Sequence, residues 1–104
     1  MATTTKALAR TAAATSSGTL YTVPDTSTLA IVTNIVLANA ATSASTATIA
    51  IDGIVIVPAV SIPANSVVGF DMKQVIPANA TPKTITGFAS TTDVKIHISG
   101  VEIN

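Results

Sequence analysis

Cysteine and tryptophan are missing from these 104 residues, aromatic side chains make up 3% of them and charged side chains 10%. Each shortage closes off a class of function. Without a thiolate there is neither a disulfide framework nor a cysteine metal site, and redox chemistry says nothing about compartment. Tyr21, Phe70 and Phe88 are few rings beside the stacking platforms of modules that bind sugars or single-stranded nucleic acid, and leave a sugar site one candidate exposed ring, Tyr21. The charged fraction falls well below the roughly 25% of an ordinary soluble domain. Five basic and five acidic residues balance to a formal net charge of zero, and neither set clusters. A phosphate backbone is bound by grouped cations that release its counterions, so no nucleic-acid partner is expected. Long apolar runs are missing too: Thr33, Asn34, Pro58 and Pro63 break the best candidates. Neither a signal peptide nor a membrane span is expected, and hence no membrane partner. The first acid is Asp25, so the opening stretch superficially suits an organellar transit peptide; an N-terminal arm or a strand is the preferred reading.

What the chain does contain is β-branched. Thr, Val and Ile dominate between spaced Gly and Pro, and no segment repeats apolar residues at helical spacing. One all-β domain is expected, an antiparallel β-sandwich of about eight strands, immunoglobulin-like or jelly-roll. The strands are placed at 5–12, 18–23, 28–38, 45–52, 54–60, 66–73, 84–90 and 93–103. Residues 1–17 are read as an N-terminal arm or first strand ahead of a sandwich spanning 18–104. In "TATIAIDGIVIVP", Asp52-Gly53 supplies two residues able to take positive φ, which predicts a hairpin with a type I′ turn, and Pro58 suits an edge or a bend. In 93–103 the apolar set Val94, Ile96, Ile98 changes parity to Val101, Ile103; a bulge at Ser99-Gly100 would return the last two to the core. "IPAN" occurs at 62–65 and at 76–79 with unlike flanks, which reads as two similar turns and not as a duplication.

Catalytic chemistry finds little to stand on. His97 is the one imidazole, and no strained Gly-x-Ser-x-Gly elbow is present to give it a nucleophile. Asp52, Asp71 and Asp93 stand apart, each at a turn or strand end, with no Asp-x-Asp spacing for calcium. The five glycines form no phosphate-binding loop. The expectation is a protein that is not an enzyme and carries no cofactor or metal.

The stretch 28–39, "TLAIVTNIVLAN", poses the most informative question. Leu29, Ile31, Ile35 and Leu37 interleave with Ala30, Val32, Val36 and Ala38, so both faces of this strand look dry. One face belongs in a core, and a second sheet, the N-terminal arm or another subunit must cover the other. Ala30, Val32 and Val36 are the candidate subunit interface on this strand. Lys6 and Arg10, four apart and on one side of an extended arm, are candidates for meeting acids on a neighbour. Tyr21 is the candidate exposed ring for a loop contact, with Phe70 and Phe88 at expected core positions. Sparse charge and zero net charge favour association, a homotrimer being the first expectation.

"GTLYTVPDTSTLAIVTNIVLANA", 18–40, resembles a recurring motif of small tailed-phage virion proteins: Leu20, Tyr21, Val23 and Pro24, a short turn, then an apolar strand through Ile35 that closes on Asn39. The "VKIHISGVEI" ending is similar to the ends of such proteins. The resemblance covers about a third of the chain and implies a β-sandwich structural subunit of a phage particle, with no catalytic residues to carry over. It also implies location in the virion after synthesis in a bacterial cytoplasm. Capsid decoration, cementing the major capsid protein, is the leading expectation; tail, neck or baseplate roles and a host-glycan or protein-binding module are the alternatives.

Overall fold

The computed structural model describes residues 2–104, so residue 1 of the expected arm lies outside the described residues. The fold is all-β: β1 (Thr3–Ala12), β2 (Gly18–Thr22), β3 (Leu29–Asn39), β4 (Ser45–Ile51), β5 (Ile54–Ile62), β6 (Ser66–Ile76), β7 (Thr84–Ala89) and β8 (Val94–Ile103). Two four-stranded sheets have the orders β1-β8-β3-β6 and β2-β7-β4-β5. The chain is doubled back on itself at the β4–β5 hairpin, so that β4 pairs β5, β3 pairs β6, β2 pairs β7 and β1 pairs β8. That long hairpin, rolled into two sheets stitched by the β3–β8 and β4–β7 ladders, is a jelly roll. Between the two sandwich topologies left open above, strand order selects this one.

The core between the sheets is almost wholly aliphatic, filled by Val23, Val32, Ile35, Leu37, Ile49, Val57, Ile62, Ile76, Ile85, Val94, Ile96 and Ile98. Branched residues on a pleated surface interdigitate with little loss of rotamer freedom. Residues 3–12 form a full strand along β8, and Leu8, Ala9 and Ala13 are buried.

The two dry faces of β3 have a local cause. Its ladders to β6 and β8 both shift between Val32 and Asn34. The bulge at Thr33 reverses parity within the strand: Ala30 and Val32 face the core before it, and Ile35 and Leu37 after it, all at 0% exposure. Thr33 Oγ1 donates to the carbonyl of Ser99 at 3.1 Å, which fixes the bulge against β8.

The bulge expected at Ser99-Gly100 is not there. β8 runs on with unbroken alternation, and the extra residues sit on its neighbours, Thr33 on β3 and Leu8 on β1. Gly100 therefore stays in the core, and Val101 and Ile103 face outward, half-buried. The missing side chain of Gly100 makes room for its neighbours: a Cβ there would lie 2.7 Å from Leu8 Cδ1 and would run into the Ile31 carbonyl. The other sheet repeats the device. The β2–β7 ladder shifts between Thr19 and Tyr21, and the bulged Leu20 reaches over Gly87, where a Cβ would lie 3.0 Å from Leu20 Cδ1 and 2.8 Å from Ile49 Cδ1.

Turns follow their residue chemistry. Asp52 (φ 54°) and Gly53 (φ 76°) both take positive φ, as a type I′ turn requires. β5 continues through Pro58 as an edge strand, at the cost of a shifted ladder and a positive φ of 48° at Ala59, whose N–H is received by Thr48 Oγ1 at 3.2 Å. Asp25 closes the β2–β3 connection by accepting from Thr28 Oγ1 at 2.7 Å and from the Ser27 N–H at 2.9 Å; these bonds, that of Thr28 foremost, hold its carboxyl below the usual range. Asn39, buried at the end of β3, donates to the carbonyls of Ser43 (3.0 Å) and Ile62 (3.1 Å) and accepts from the Ala41 N–H at 2.9 Å. One side chain thereby ties β3, the following loop and the end of β5 together.

Candidate functional site

Chemistry-bearing side chains are scattered over the fold. His97 lies on the outer face of β8 opposite Arg10 of β1 and Val36 of β3. Asp52 sits in the hairpin turn and pairs with Lys83 at 3.3 Å, Asp71 is on β6, and Asp93 precedes β8. Among the described residues no three His, Asp or Glu side chains come together as metal ligands. The feature with functional content is a surface.

That surface is the outer face of the β1-β8-β3-β6 sheet. Register aligns its outward side chains in rows across the strands. At one end Ile103 stands beside Leu29, and the next row runs Thr5, Val101, Ile31, Val75. A polar row follows, Ala7, Ser99, Asn34 and Asp71, where Asn34 Nδ2 donates to Asp71 Oδ1 at 3.4 Å. Beyond it come Arg10 and His97, then Lys95. One end of the face is thus aliphatic and the other cationic. The aliphatic end does not stop at the sheet margin. Val75, 58% exposed, also lines a groove of about 260 Å³ with Ile51, Ile56 and Val55, beside Ile54 at 74% exposure. Such large aliphatic side chains stand in water only at a cost of about 25 cal/mol for each Å² left uncovered.

The residues singled out from sequence are not brought together here. Ala30 and Val32 lie in the core at 0% exposure, because the Thr33 bulge reverses the parity on which their outward assignment depended. They are withdrawn from the interface; Val36, half-buried, is on the outer face. The bulge at Leu8 likewise separates Lys6 from Arg10. Arg10 stands opposite His97 on the outer face, whereas Lys6 stands opposite Gly100, with core parity at the sandwich margin, and pairs with Glu102 at 3.4 Å.

Tyr21 is a further correction. It is 8% exposed, because the Leu20 bulge turns its ring between the sheets, and its hydroxyl donates to Glu102 Oε2. Burial first, and then the bond to Glu102 and its charge, push the phenol well above its ordinary pKa. Phe88, expected in the core, shares the outward parity of Thr84 and Thr86 and is half-buried; Phe70 packs at the core margin. Sequence reasoning missed the patch of Leu29, Ile31, Val75, Val101 and Ile103. The signal for it was Thr33-Asn34, two successive polar residues in an otherwise aliphatic strand.

No protein-family model matches the sequence, and no curated protein matches it. Solved structures do. A chain in the structure of infectious bursal disease virus, Gt strain, aligns at TM-score 0.43 and 16% identity over 99% of this chain and 33% of its own length. A chain in the structure of the Gx strain of the same virus aligns at TM-score 0.54 and 17% identity over 99% of this chain and 32% of its own. The chain therefore spans about a third of the length of the chains it matches, and it shares its β-sandwich fold with a chain of the Gx-strain virus structure.

Proposed function

We propose that the protein is a virion structural subunit, a capsid decoration protein that cements the head of a tailed phage by contacts with the major capsid protein and with its own copies. The observation that carries this reading is the aliphatic end of the outer sheet face, Leu29, Ile31, Val75, Val101 and Ile103, on a domain with few charges to keep copies apart. The β-sandwich fold, shared with a chain of the Gx-strain virus structure, and the phage-like 18–40 stretch support it. Energetics fit a multi-copy role. Covering what remains exposed of these side chains contributes about 1 kcal/mol each, or about 5 kcal/mol in all. Association of one pair costs at least about 4 kcal/mol of lost freedom. Such a contact is marginal between two molecules and becomes durable when repeated over a shell, where each subunit is held by several neighbours at once. A trimer is the closed arrangement proposed for the aliphatic contact.

Quantitative mass spectrometry of purified particles tests the reading. Copies in the hundreds per particle support decoration of the head, and six or twelve move the protein to the tail, neck or baseplate. Absence from purified particles overturns the virion assignment. The glycan-binding alternative loses its one candidate ring with the burial of Tyr21.

A further inference from the structure

The sandwich has an open margin along β6. This strand is the outermost of its sheet, with β3 on one side and no strand on the other, and at 11 residues it matches β3 as the longest in the fold. The other three margins are blunted: β2 has 5 residues, β5 carries Pro58, and β1 bulges at Leu8 and bears Lys6 and Arg10. β6 has no proline, and its side chains alternate through Lys73, with Val68, Phe70 and Met72 toward the core and Val67, Gly69, Asp71 and Lys73 outward; its ladder with β3 shifts at Met72 and Lys73, which lie between the Asn34–Asp71 and Val32–Gln74 pairs. Its backbone donors and acceptors on the open side form a template for another strand.

We propose that two copies of this chain pair antiparallel through β6, about a two-fold axis at Met72, joining their sheets into one of eight strands. The outward charges select this register. Centred on Met72, Asp71 of each copy faces Lys73 of the other, giving two opposite-charge pairs by symmetry. Sliding by two residues one way sets Asp71 against its own copy, and the other way sets Lys73 against its own copy; like charges directly opposite are destabilising. Sliding by one residue turns each core face to water. In the selected register Val75, 58% exposed, comes to lie over the second copy's Gly69, which has room for it: a Cβ at Gly69 would meet nothing closer than 3.9 Å. On the inner side Val68 faces Ile76 and Met72 faces Met72, so the two cores run together. Lys73 has no ion-pair partner among the described residues, and Asp71 touches only the Asn34 amide. This contact shares Val75 with the aliphatic end of the sheet face, but its register is set by Asp71 and Lys73 and does not depend on the shell reading.

Sedimentation across 1–100 μM, with two kinds of variant, tests it, the range being chosen to bracket about micromolar affinity. The wild type is expected to dimerise in that range. Asp71→Lys, an exposed change, places four cations around the axis and raises the dissociation constant about tenfold or more; Asp71→Lys combined with Lys73→Asp restores it. The chain has no cysteine, so Met72→Cys introduces a single thiol that faces its own copy at a Cα separation of about 4.5–5.5 Å, within disulfide reach. It should form a cross-linked dimer under mild oxidation, while Val67→Cys, distant from its copy in this register, should not. A wild type that stays monomeric at 100 μM overturns the proposal. So does a dimer that ignores charge reversal and leaves the Met72→Cys thiol free, or an oligomer whose cross-links form equally at both positions.

Discussion

Replacing Gly100 by alanine tests the account of how the bulges shape this molecule. Gly100 has no need of positive φ; its constraint is space. A methyl group there would sit 2.7 Å from Leu8 Cδ1 and drive into the backbone carbonyl of Ile31. Leu8 could swing aside, at the expense of its packing, but the Ile31 carbonyl is part of β3, which is held in ladders on both sides. Overpacking of this kind costs typically 1–3 kcal/mol, and a backbone obstacle puts Gly100→Ala near the top, about 3 kcal/mol. Against a total stability of about 5–15 kcal/mol that is severe, and it corresponds to a fall in Tm of about 10–20 °C. Urea unfolding followed by circular dichroism measures the loss directly. A double-mutant cycle with Leu8→Ala locates it. If the Ile31 carbonyl is the obstacle, removing the leucine side chain rescues little and the coupling stays under about 1 kcal/mol; if Leu8 is the obstacle, the coupling is larger. A Gly100→Ala protein within about 0.5 kcal/mol of wild type would refute the reasoning, since β8 would then have room at Gly100 for a side chain between the two flanking bulges.

Tyr21→Phe should cost about 1–2 kcal/mol at neutral pH through loss of a buried hydrogen bond to the Glu102 carboxylate. The phenol's pKa is raised in the folded state, so its stabilising effect is complete below about pH 10 and is lost as pH rises past that toward the folded value. Because Tyr21 is the sole tyrosine, the alkaline loss of stability should be shallower in Tyr21→Phe; equal slopes above pH 10 would refute the link. Asn39→Ala should cost about 3 kcal/mol, since it strands the buried Ile62 carbonyl and the Ala41 N–H together, and Asn39→Asp should be worse at pH 7 than at pH 4, because the carboxylate cannot donate to carbonyls. Thermal melts at the two pH values check both, and a neutral Asn39→Ala would remove Asn39 as the tie between β3 and β5.

Much of the fold was legible because period-2 stretches and turn residues agree along this chain. The Asp52-Gly53 hairpin is there with both φ values positive, and the eight strands fall close to their expected limits. What could not be read was parity. Simple alternation assigned Ala30 and Val32 to an interface and Lys6 and Arg10 to one side, and placing Phe70 and Phe88 in the core left Tyr21 as the exposed ring. Each assignment failed for the same reason, a bulge at Thr33, Leu8 or Leu20. A bulge is a relation between two strands, so a single strand's sequence shows only that its pattern breaks and not which neighbour absorbs the extra residue. In β8 the break at Val101 was visible, but its resolution lay in β1 and β3.

The same relation decides what the molecule shows to others. Had β8 bulged at Ser99-Gly100, Val101 and Ile103 would have entered the core and Glu102 would have faced water. With the bulges displaced onto β1 and β3, Glu102 turns inward to meet Tyr21 and Lys6, and Val101 and Ile103 join Leu29, Ile31 and Val75 outside. Glu102 is met there by Tyr21 and Lys6, while Val101 and Ile103 stay half-buried, and an isolated domain bears the cost of the apolar area they leave uncovered. Residues arranged against the interest of the lone molecule are the ones from which a binding surface is most reasonably inferred. Here they all lie at one end of one sheet, which is where contact with neighbouring copies would return the uncovered area.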